Sequence, residues 1–446
     1  MDEATPGNTS GATGRGPLER PLTASGTGPR PRMIRSMTQP SSQPVPAPSS
    51  SEFFAAFDAL TPEQVRAGGT MKWSERPDTA ISAWVAEMDL GTAPAVTQAL
   101  HRAVDGARFG YMPTSVWEDC RAAVIDFHRD SFGWEIPERD MSLLPDVLSA
   151  LRAIISRHTR PGSPVIVPTP AYMPFLTIPG TLDREAIEVP ALRGDGASAP
   201  AWSLDLEGIE AAMAAGAGLL ILCNPWNPVG RVLTAAELDA VAALSAKYGV
   251  VVFTDEIHSP LVLPGSPRHI CYASRPGADP ALTFTATAAS KGWNIPGLHC
   301  AQLIASGEAR ARFDADPLCS CLPGGASILG VIATTAAFSQ GRGWNEAVRE
   351  YLRRTLEGIT GRLSAIDGVS VTMPESTYLA WVDFSGALAD GRITGAPAGF
   401  LERKAGVSMN EGVTFGSDYA AFCRLNLATG RGIADEIADR ITAALA

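Results

Sequence analysis

The sequence of 446 residues lacks the patterns that mark several classes of protein. It has no uninterrupted apolar run of about 18 residues, so it predicts no membrane-spanning helix. Positive charge is scarce: 36 Lys and Arg residues stand against 47 Asp and Glu residues, and this net charge of −11 argues against nucleic-acid binding as the main function. The seven cysteines form no Cys-x-x-Cys pair and no Cys/His group at zinc-finger spacing, which indicates reduced thiols in a cytoplasmic protein and no metal site.

The first 50 residues lack aromatic side chains altogether. They contain 9 Pro, 6 Gly and 13 Ser or Thr residues, and such a composition cannot bury enough apolar surface to offset the entropy of ordering. They also lack the apolar stretch of a secretory signal. Residues 1–50 are therefore predicted to be a disordered tail.

The rest of the sequence alternates short apolar runs with segments of helical periodicity. Strands are predicted at residues 165–170, 186–190, 218–225, 250–256, 282–290 and 300–306. A helix is predicted at residues 147–158, before the first of these strands. Others are predicted between strands, at residues 204–214 and at 235–248 with Thr234 as its N-cap. Near-continuous apolar strands separated by helices are typical of a sheet buried on both faces, so we predict an α/β fold with a mostly parallel central sheet flanked by helices.

The pattern changes after about residue 335, where helices and strands suggest a smaller α+β unit. We therefore predict a large domain at residues 96–335 and a small C-terminal domain at residues 336–446. Residues 51–95 are expected to pack with the small domain.

Polar residues follow three of the predicted strands. Asn224-Pro-Trp-Asn227 follows one strand, Asp255 closes the next, and Ser290-Lys291 follows a third. Ligands of open α/β sheets bind at the carboxyl ends of the strands. Each residue alone has an ordinary explanation, because a strand-end Asp often caps a helix and a Lys is usually a solvated surface charge, but together they predict a site.

In this order along the chain, N-P-W-N-P-V-G (224–230), Asp255 and Lys291 resemble the signature of the fold type I pyridoxal-phosphate enzymes, the class I/II aminotransferase superfamily. The resemblance covers roughly residues 55–446. It implies that pyridoxal 5′-phosphate is the cofactor. Lys291 would bond covalently to its aldehyde, and the Asp255 carboxylate would stabilise the protonated ring nitrogen.

The resemblance also implies further contacts to the cofactor and to an amino-acid substrate. Tyr172 would cover the ring, Asn227 and His258 would lie near the ring oxygen, and the phosphate would bind Val147, Leu148 and Ser290, the first two through the amides of a helix start. Arg424, in F-C-R-L-N-L-A (422–428), would bind the substrate carboxylate, with Tyr378 and Trp226 as further substrate contacts. The alternative for Arg424 is an interdomain salt bridge.

Two positions depart from the family pattern at the phosphate. His299 occupies the place where aminotransferases have an Arg, and Asp146 stands where Gly or another small residue is expected. A neutral imidazole and a carboxylate are both poor partners for an anion. A positive charge for the phosphate is therefore expected from elsewhere.

Five strings resemble the cystathionine β-lyase-like branch of carbon–sulfur lyases: W-V-A-E-M-D-L (84–90, with Glu87 in place of Asp), F-G-Y (109–111), D-E-I-H (255–258), S-K-G-W-N-I-P-G-L (290–298) and T-Y-L-A-W-V-D (377–383). This implies a homodimer with shared sites, in which Tyr111 reaches the neighbour's cofactor phosphate and the reacting carbon. The implied reaction is α,β-elimination on cystathionine or another S-substituted cysteine, with a thiol, pyruvate and ammonia as products.

Other functions stay open at this point. An aminotransferase would use the same Lys, Asp and Arg residues. A specialised enzyme would act on a cysteine S-conjugate by elimination or by oxidative, decarboxylating deamination. A regulatory or binding protein on the same fold would not need Lys291.

Overall fold

A seven-stranded sheet forms the centre of the chain in a computed structural model that describes residues 50–194 and 201–446. In spatial order its strands are Met141–Leu144, Ala301–Ile304, Thr283–Thr287, Val251–Asp255, Leu219–Cys223, Val165–Thr169 and Ala186–Pro190. Only Ala301–Ile304 runs antiparallel to its neighbours. The predicted mostly parallel α/β sheet is confirmed, although the edge strand Met141–Leu144 was not predicted.

Helices cover both faces of this sheet. Leu219 and Ile221 pack on the side of the helix Val147–His158, whereas Leu220 and Leu222 pack on the side of the helix Ala235–Tyr248. Alternate residues of one strand therefore serve two hydrophobic cores, which explains the continuous apolar runs in the sequence. Thr234 caps its helix as predicted, in a reciprocal capping box with Glu237.

The helices are bounded as follows: Ser50–Asp58, Pro62–Ala67, Met71–Ser74, Pro94–Asp105, Thr114–Phe132, Val147–His158, Met173–Thr177, Leu206–Ala214, Ala235–Tyr248, Gly307–Ala315, Pro317–Cys321, Ile328–Gln340, Arg342–Ser364, Ser385–Ala389, Pro397–Ala405 and Arg431–Leu445. Within the described ranges no single helix is long and apolar enough to cross a membrane; one bent pair, Pro317–Gly325 with Ile328–Gln340, meets the length and composition criteria together.

A second, four-stranded sheet lies in the C-terminal part, with the order Ser370–Val371, Leu379–Asp383, Phe422–Asn426 and Asn410–Glu411. Two short pairs complete the strands: Ile81–Ser82 with Val407–Ser408, and Leu192–Arg193 with Trp202–Ser203. The first pair ties the N-terminal segment to the C-terminal part, where residues 51–95 were expected to pack.

The described residues all belong to one compact unit. The division at residues 95 and 335 stays a prediction. The predicted disordered tail, residues 1–50, lies outside the described residues except for Ser50, which begins the first helix.

Candidate active site

A cavity of about 360 Å³ opens at the carboxyl ends of the central strands. Its lining includes nine of the residues predicted for a site: Val147, Leu148, Tyr172, Asn227, Asp255, His258, Ser290, Lys291 and Arg424. These residues come from six separate stretches of the chain. The fold therefore brings together most of the side chains that the motifs singled out.

Asp255 is the last residue of the strand Val251–Asp255 and is buried. Its Oδ1 accepts a hydrogen bond from the Ile257 amide at 3.0 Å. Burial raises the pKa of Asp255 to about 7, while the Ile257 amide and the positive charge of Lys291 act in the opposite direction. A carboxylate of this kind is poised to pair with a cationic ring nitrogen, because the bound charge would offset its desolvation.

Lys291 follows the strand Thr283–Thr287, and its amine donates a hydrogen bond to the Ala86 carbonyl at 2.8 Å. The Tyr378 hydroxyl donates to the same carbonyl, also at 2.8 Å. Burial first, and then the Arg424 charge, lower the pKa of Lys291 to about 8. A substantial fraction of the amine is therefore unprotonated near neutral pH, as a nucleophile or base requires.

Arg424 lies in the strand Phe422–Asn426 and is only 3% exposed. Its guanidinium donates to the side chains of Asn410 at 2.9 Å and Asn227 at 3.2 Å and to the Trp84 carbonyl at 3.2 Å. No carboxylate of the described residues lies within 4.0 Å of it, and its Nε is buried without a partner. Arg424 therefore does not form the interdomain salt bridge considered as an alternative, and its guanidinium is available to bind an external carboxylate.

The start of the helix Val147–His158 faces the same cavity. Asp146 caps this helix: its two carboxylate oxygens accept from the Ser149 amide at 2.7 Å and the Ser149 hydroxyl at 2.8 Å. The amides of Val147 and Leu148, the first two residues of the helix, have no partner within it and can bind an anion. Ser290 adds a hydroxyl to the lining.

His258 and Tyr172 complete the lining near Asp255. Burial lowers the pKa of His258 to about 3, with help from the charges of Lys291 and Arg424, so the imidazole is neutral at pH 7. Its Nδ1 is buried and has no partner among the described residues. Burial raises the pKa of the Tyr172 phenol, which keeps it protonated.

Four residues named from the sequence do not line the cavity. Tyr378 was predicted to contact substrate, but it is buried and its hydroxyl donates to the Ala86 carbonyl. Trp226 was predicted to contact substrate, but it is 2% exposed, packs in the core beside Leu222 and donates from its indole to the Pro170 carbonyl at 2.8 Å. The large indole thus fills the interior behind the site and does not line it. Tyr111 is fully exposed, and His299 is exposed outside the cavity.

Several groups that hold the site in place were missed at the sequence level. Asn410 orients Arg424, and Asn294 holds Met88 by donating to its carbonyl at 2.9 Å. The Ala86 carbonyl binds Lys291 as a backbone group, so no side-chain motif can reveal it. The string W-V-A-E-M-D-L was a signal for this region, but not for its contacts.

The donor set matches the needs of an aromatic aldehyde that carries a phosphate. The cavity offers an amine for the aldehyde, a buried carboxylate for the ring nitrogen and free helix amides for the phosphate. The unpartnered polar atoms of His258 and Arg424 indicate that this cavity is built to receive a polar ligand. Fold and site together thus define an enzyme of the pyridoxal-phosphate class.

Comparisons with known proteins agree with this class. Residues 85–441 match the family model of the class I and II aminotransferases. The chain is 34% identical to the cystathionine beta-lyase of Corynebacterium glutamicum over 383 residues, which cover 86% of this chain and 98% of that protein. Among solved structures, a protein of Corynebacterium diphtheriae provisionally named a PLP-dependent beta-cystathionase is 36% identical, with a TM-score of 0.78 and coverage of 86% and 98%.

A third relative shows the cofactor. Cystalysin from Treponema denticola, whose structure contains pyridoxal 5′-phosphate, is 26% identical with a TM-score of 0.78 and coverage of 87% of this chain and 98% of its own. The chain belongs to the class I and II aminotransferase family and, within it, to the pyridoxal-phosphate-dependent carbon–sulfur lyases. Its cofactor is pyridoxal 5′-phosphate.

Proposed function

We propose that this enzyme catalyses α,β-elimination on an S-substituted cysteine such as cystathionine. The observation that carries the proposal is that one cavity holds both the Lys291 amine and the buried Arg424 guanidinium, which has no carboxylate partner among the described residues. An α-amino acid presents a carboxylate to the second group and an α-proton to the first. The names of the relatives support carbon–sulfur cleavage as the outcome.

When bound, pyridoxal phosphate supplies an aldehyde that bonds to amines and a ring that withdraws electrons from the α-carbon. We assign its ring nitrogen to Asp255 and its phosphate to the amides of Val147 and Leu148 with the Ser290 hydroxyl. Tyr172 would lie on the ring, and Asn227 and neutral His258 would lie at its oxygen side.

In this proposal Arg424 fixes the substrate carboxylate, which orients the α-hydrogen toward Lys291. The Lys291 amine takes the α-proton, the bond from the β-carbon to sulfur breaks, and the thiolate leaves with the electron pair. The thiolate gains a proton, and water converts the remaining three-carbon fragment into pyruvate and ammonium. One substrate and one water thus give one thiol, one pyruvate and one ammonium ion.

The assay measures thiol and pyruvate from purified protein with S-ethylcysteine or cystathionine and no added keto acid. We expect both products in equal amounts, and none from Lys291→Ala. Product that appears only after addition of a keto acid would identify an aminotransferase, and release of carbon dioxide with oxygen uptake would identify an oxidative enzyme. Either result would refute elimination.

We further propose a homodimer in which Tyr111 completes the neighbour's site. Its side chain is fully exposed and lies beside Phe109, which is 63% exposed. Mixing inactive Lys291→Ala and Tyr111→Ala proteins should restore activity, because a hybrid dimer has one intact site. Random exchange would give about one quarter of the wild-type rate. A mixture no more active than its components, although subunits exchange, would contradict a shared site.

We also propose a cytoplasmic location, because all seven cysteines lie in the described part of the chain as free thiols, five of them buried. Cell fractionation with an antibody to the protein tests this, and recovery from the medium would contradict it.

A further inference from the structure

The segment of residues 84–88 is held to the active site by its backbone. Arg424 donates to the Trp84 carbonyl, Lys291 and Tyr378 donate to the Ala86 carbonyl, and Asn426 donates to the Glu87 carbonyl. The segment has no regular secondary structure. The position of the segment is therefore fixed in part by Lys291 and Arg424, two groups that the proposed reaction uses.

Glu87 is the charged side chain at this place. Its Oε2 is buried and has no hydrogen-bond partner among the described residues, and no cation lies within 4.0 Å of its carboxylate. The charge of Glu87 nevertheless acts on both donors to the Ala86 carbonyl: it raises the pKa of the Lys291 amine and of the Tyr378 phenol. Glu87 directly follows Ala86, whose carbonyl accepts the hydrogen bonds of Lys291 and Tyr378, so the residue is next to this pair without forming an ion pair with Lys291.

A carboxylate oxygen that is buried without a partner is unfavourable, so a structure that keeps one in a half-buried Glu87 invites a functional explanation. We propose that Glu87 is a positioning residue for Lys291, whose negative charge stabilises the positive charge that Lys291 carries after it takes the substrate α-proton. This inference rests on the proposed function, since it requires Lys291 to be the group that bonds to the cofactor and removes the proton.

Other charges also face Lys291. Arg424 opposes its positive charge, Asp255 favours it, and His258 is neutral. Arg424 and Asp255 are assigned to the substrate carboxylate and the ring nitrogen, so each is neutralised by its own ligand during the reaction. Glu87 has no such ligand and keeps its influence on Lys291 throughout.

The test follows the visible absorbance of the bound cofactor against pH, because this absorbance reports protonation of the nitrogen of Lys291. Glu87→Gln removes the charge at constant shape and should move the absorbance transition to lower pH by about half a unit or more. The acid limb of kcat should move in the same direction. Glu87→Asp, which restores the charge, should return both toward wild type, and Glu185→Gln, an exposed control, should move neither.

Glu87→Ser provides a second neutral variant if the amide disturbs folding. A neutral variant that binds cofactor and titrates as wild type does would refute the role of Glu87. A transition that moves equally in Glu87→Asp and Glu87→Gln would also refute it, because the shift would then follow shape and not charge. Failure of the proposed function is distinct, since it would appear as the absence of thiol and pyruvate without added keto acid, whatever the pH of the absorbance transition.

Discussion

Arg424 offers the sharpest test of how the site recognises its substrate. The guanidinium is buried, has three neutral acceptors and no carboxylate partner among the residues described. A substrate carboxylate would form a two-pronged, charge-assisted contact with it. Arg424→Lys keeps the charge but removes the fork, so about one such hydrogen bond is lost, or about 1.5–3 kcal/mol.

This loss corresponds to a fall in kcat/KM of about 10- to 150-fold. Arg424→Gln removes the charge as well, and breaking a buried pair costs about 3–5 kcal/mol, or at least about 150-fold. Burial lowers the pKa of Arg424 to about 10, so the wild-type group stays charged across an assay range of pH 6–9. The effect of both substitutions should therefore not depend on pH in this range.

The assay compares S-ethylcysteine with its carboxamide, which keeps the α-proton but lacks the negative charge. Wild type should prefer the carboxylate strongly, and Arg424→Gln should lose most of that preference. Arg349→Gln is a matched control, because Arg349 is also a partly buried arginine with an unpartnered Nε, but it donates to the Val262 carbonyl outside the cavity. If Arg424→Gln lowers kcat/KM equally for S-ethylcysteine and its carboxamide, the guanidinium does not recognise the substrate carboxylate and the assignment is refuted.

Three further predictions concern other charged side chains of the protein. Lys72→Met removes the 2.7 Å ion pair and leaves the buried Asp89 carboxylate without its cation. The free energy of unfolding, measured in urea, should fall by about 3–5 kcal/mol, and a loss below about 1 kcal/mol would contradict this. Asp255→Asn should remove a pH dependence from the stability of cofactor-free protein. In the wild type the raised pKa of Asp255 makes the folded state bind an extra proton between about pH 4 and pH 7, so the free energy of unfolding falls as the pH rises through this range. The difference between the variant and wild-type free energies of unfolding at each pH measures this effect, and a constant difference would refute it. Asp146→Asn keeps a helix cap but removes a negative charge beside the proposed phosphate site. An absorbance titration should therefore show that the cofactor binds roughly 3- to 10-fold more tightly. Weaker binding would contradict the assignment of the phosphate site.

The sequence revealed most of the central sheet because strands such as Leu219–Cys223 and Val251–Asp255 lie in continuous apolar runs. The strand 186–190 was predicted at its exact bounds, whereas Met141–Leu144 was missed. Four residues that follow a short helical turn are too few to show a period, and their pairing with Ala301–Ile304 is set by tertiary contacts. The helix Ile328–Gln340 was also missed, since its apolar side chains are spread around the helix and not along one face.

Whether a predicted site residue lines the cavity also depends on what fixes its position. Asp255, Lys291 and Arg424 occur in strings whose spacing is fixed by strands of the sheets, so their approach follows from topology. Trp226 differs because its string specifies a turn, and only the packed core decides which side of the turn an indole fills. Glu87 was visible as a departure from a motif, but its relation to Lys291 depends on a backbone carbonyl that no sequence pattern encodes.

The charges of the site explain how an acidic chain can bind two anions. With a net charge of −11 the whole protein repels phosphate and carboxylate, so attraction must come from groups inside the cavity. Burial lowers the pKa of both Lys291 and Arg424, which shows that their positive charges are costly where they stand. A bound anion offsets that cost. The preference for anionic ligands and the energetic cost of the two cations therefore have one cause, so a variant that removes this cost must also bind anionic ligands more weakly.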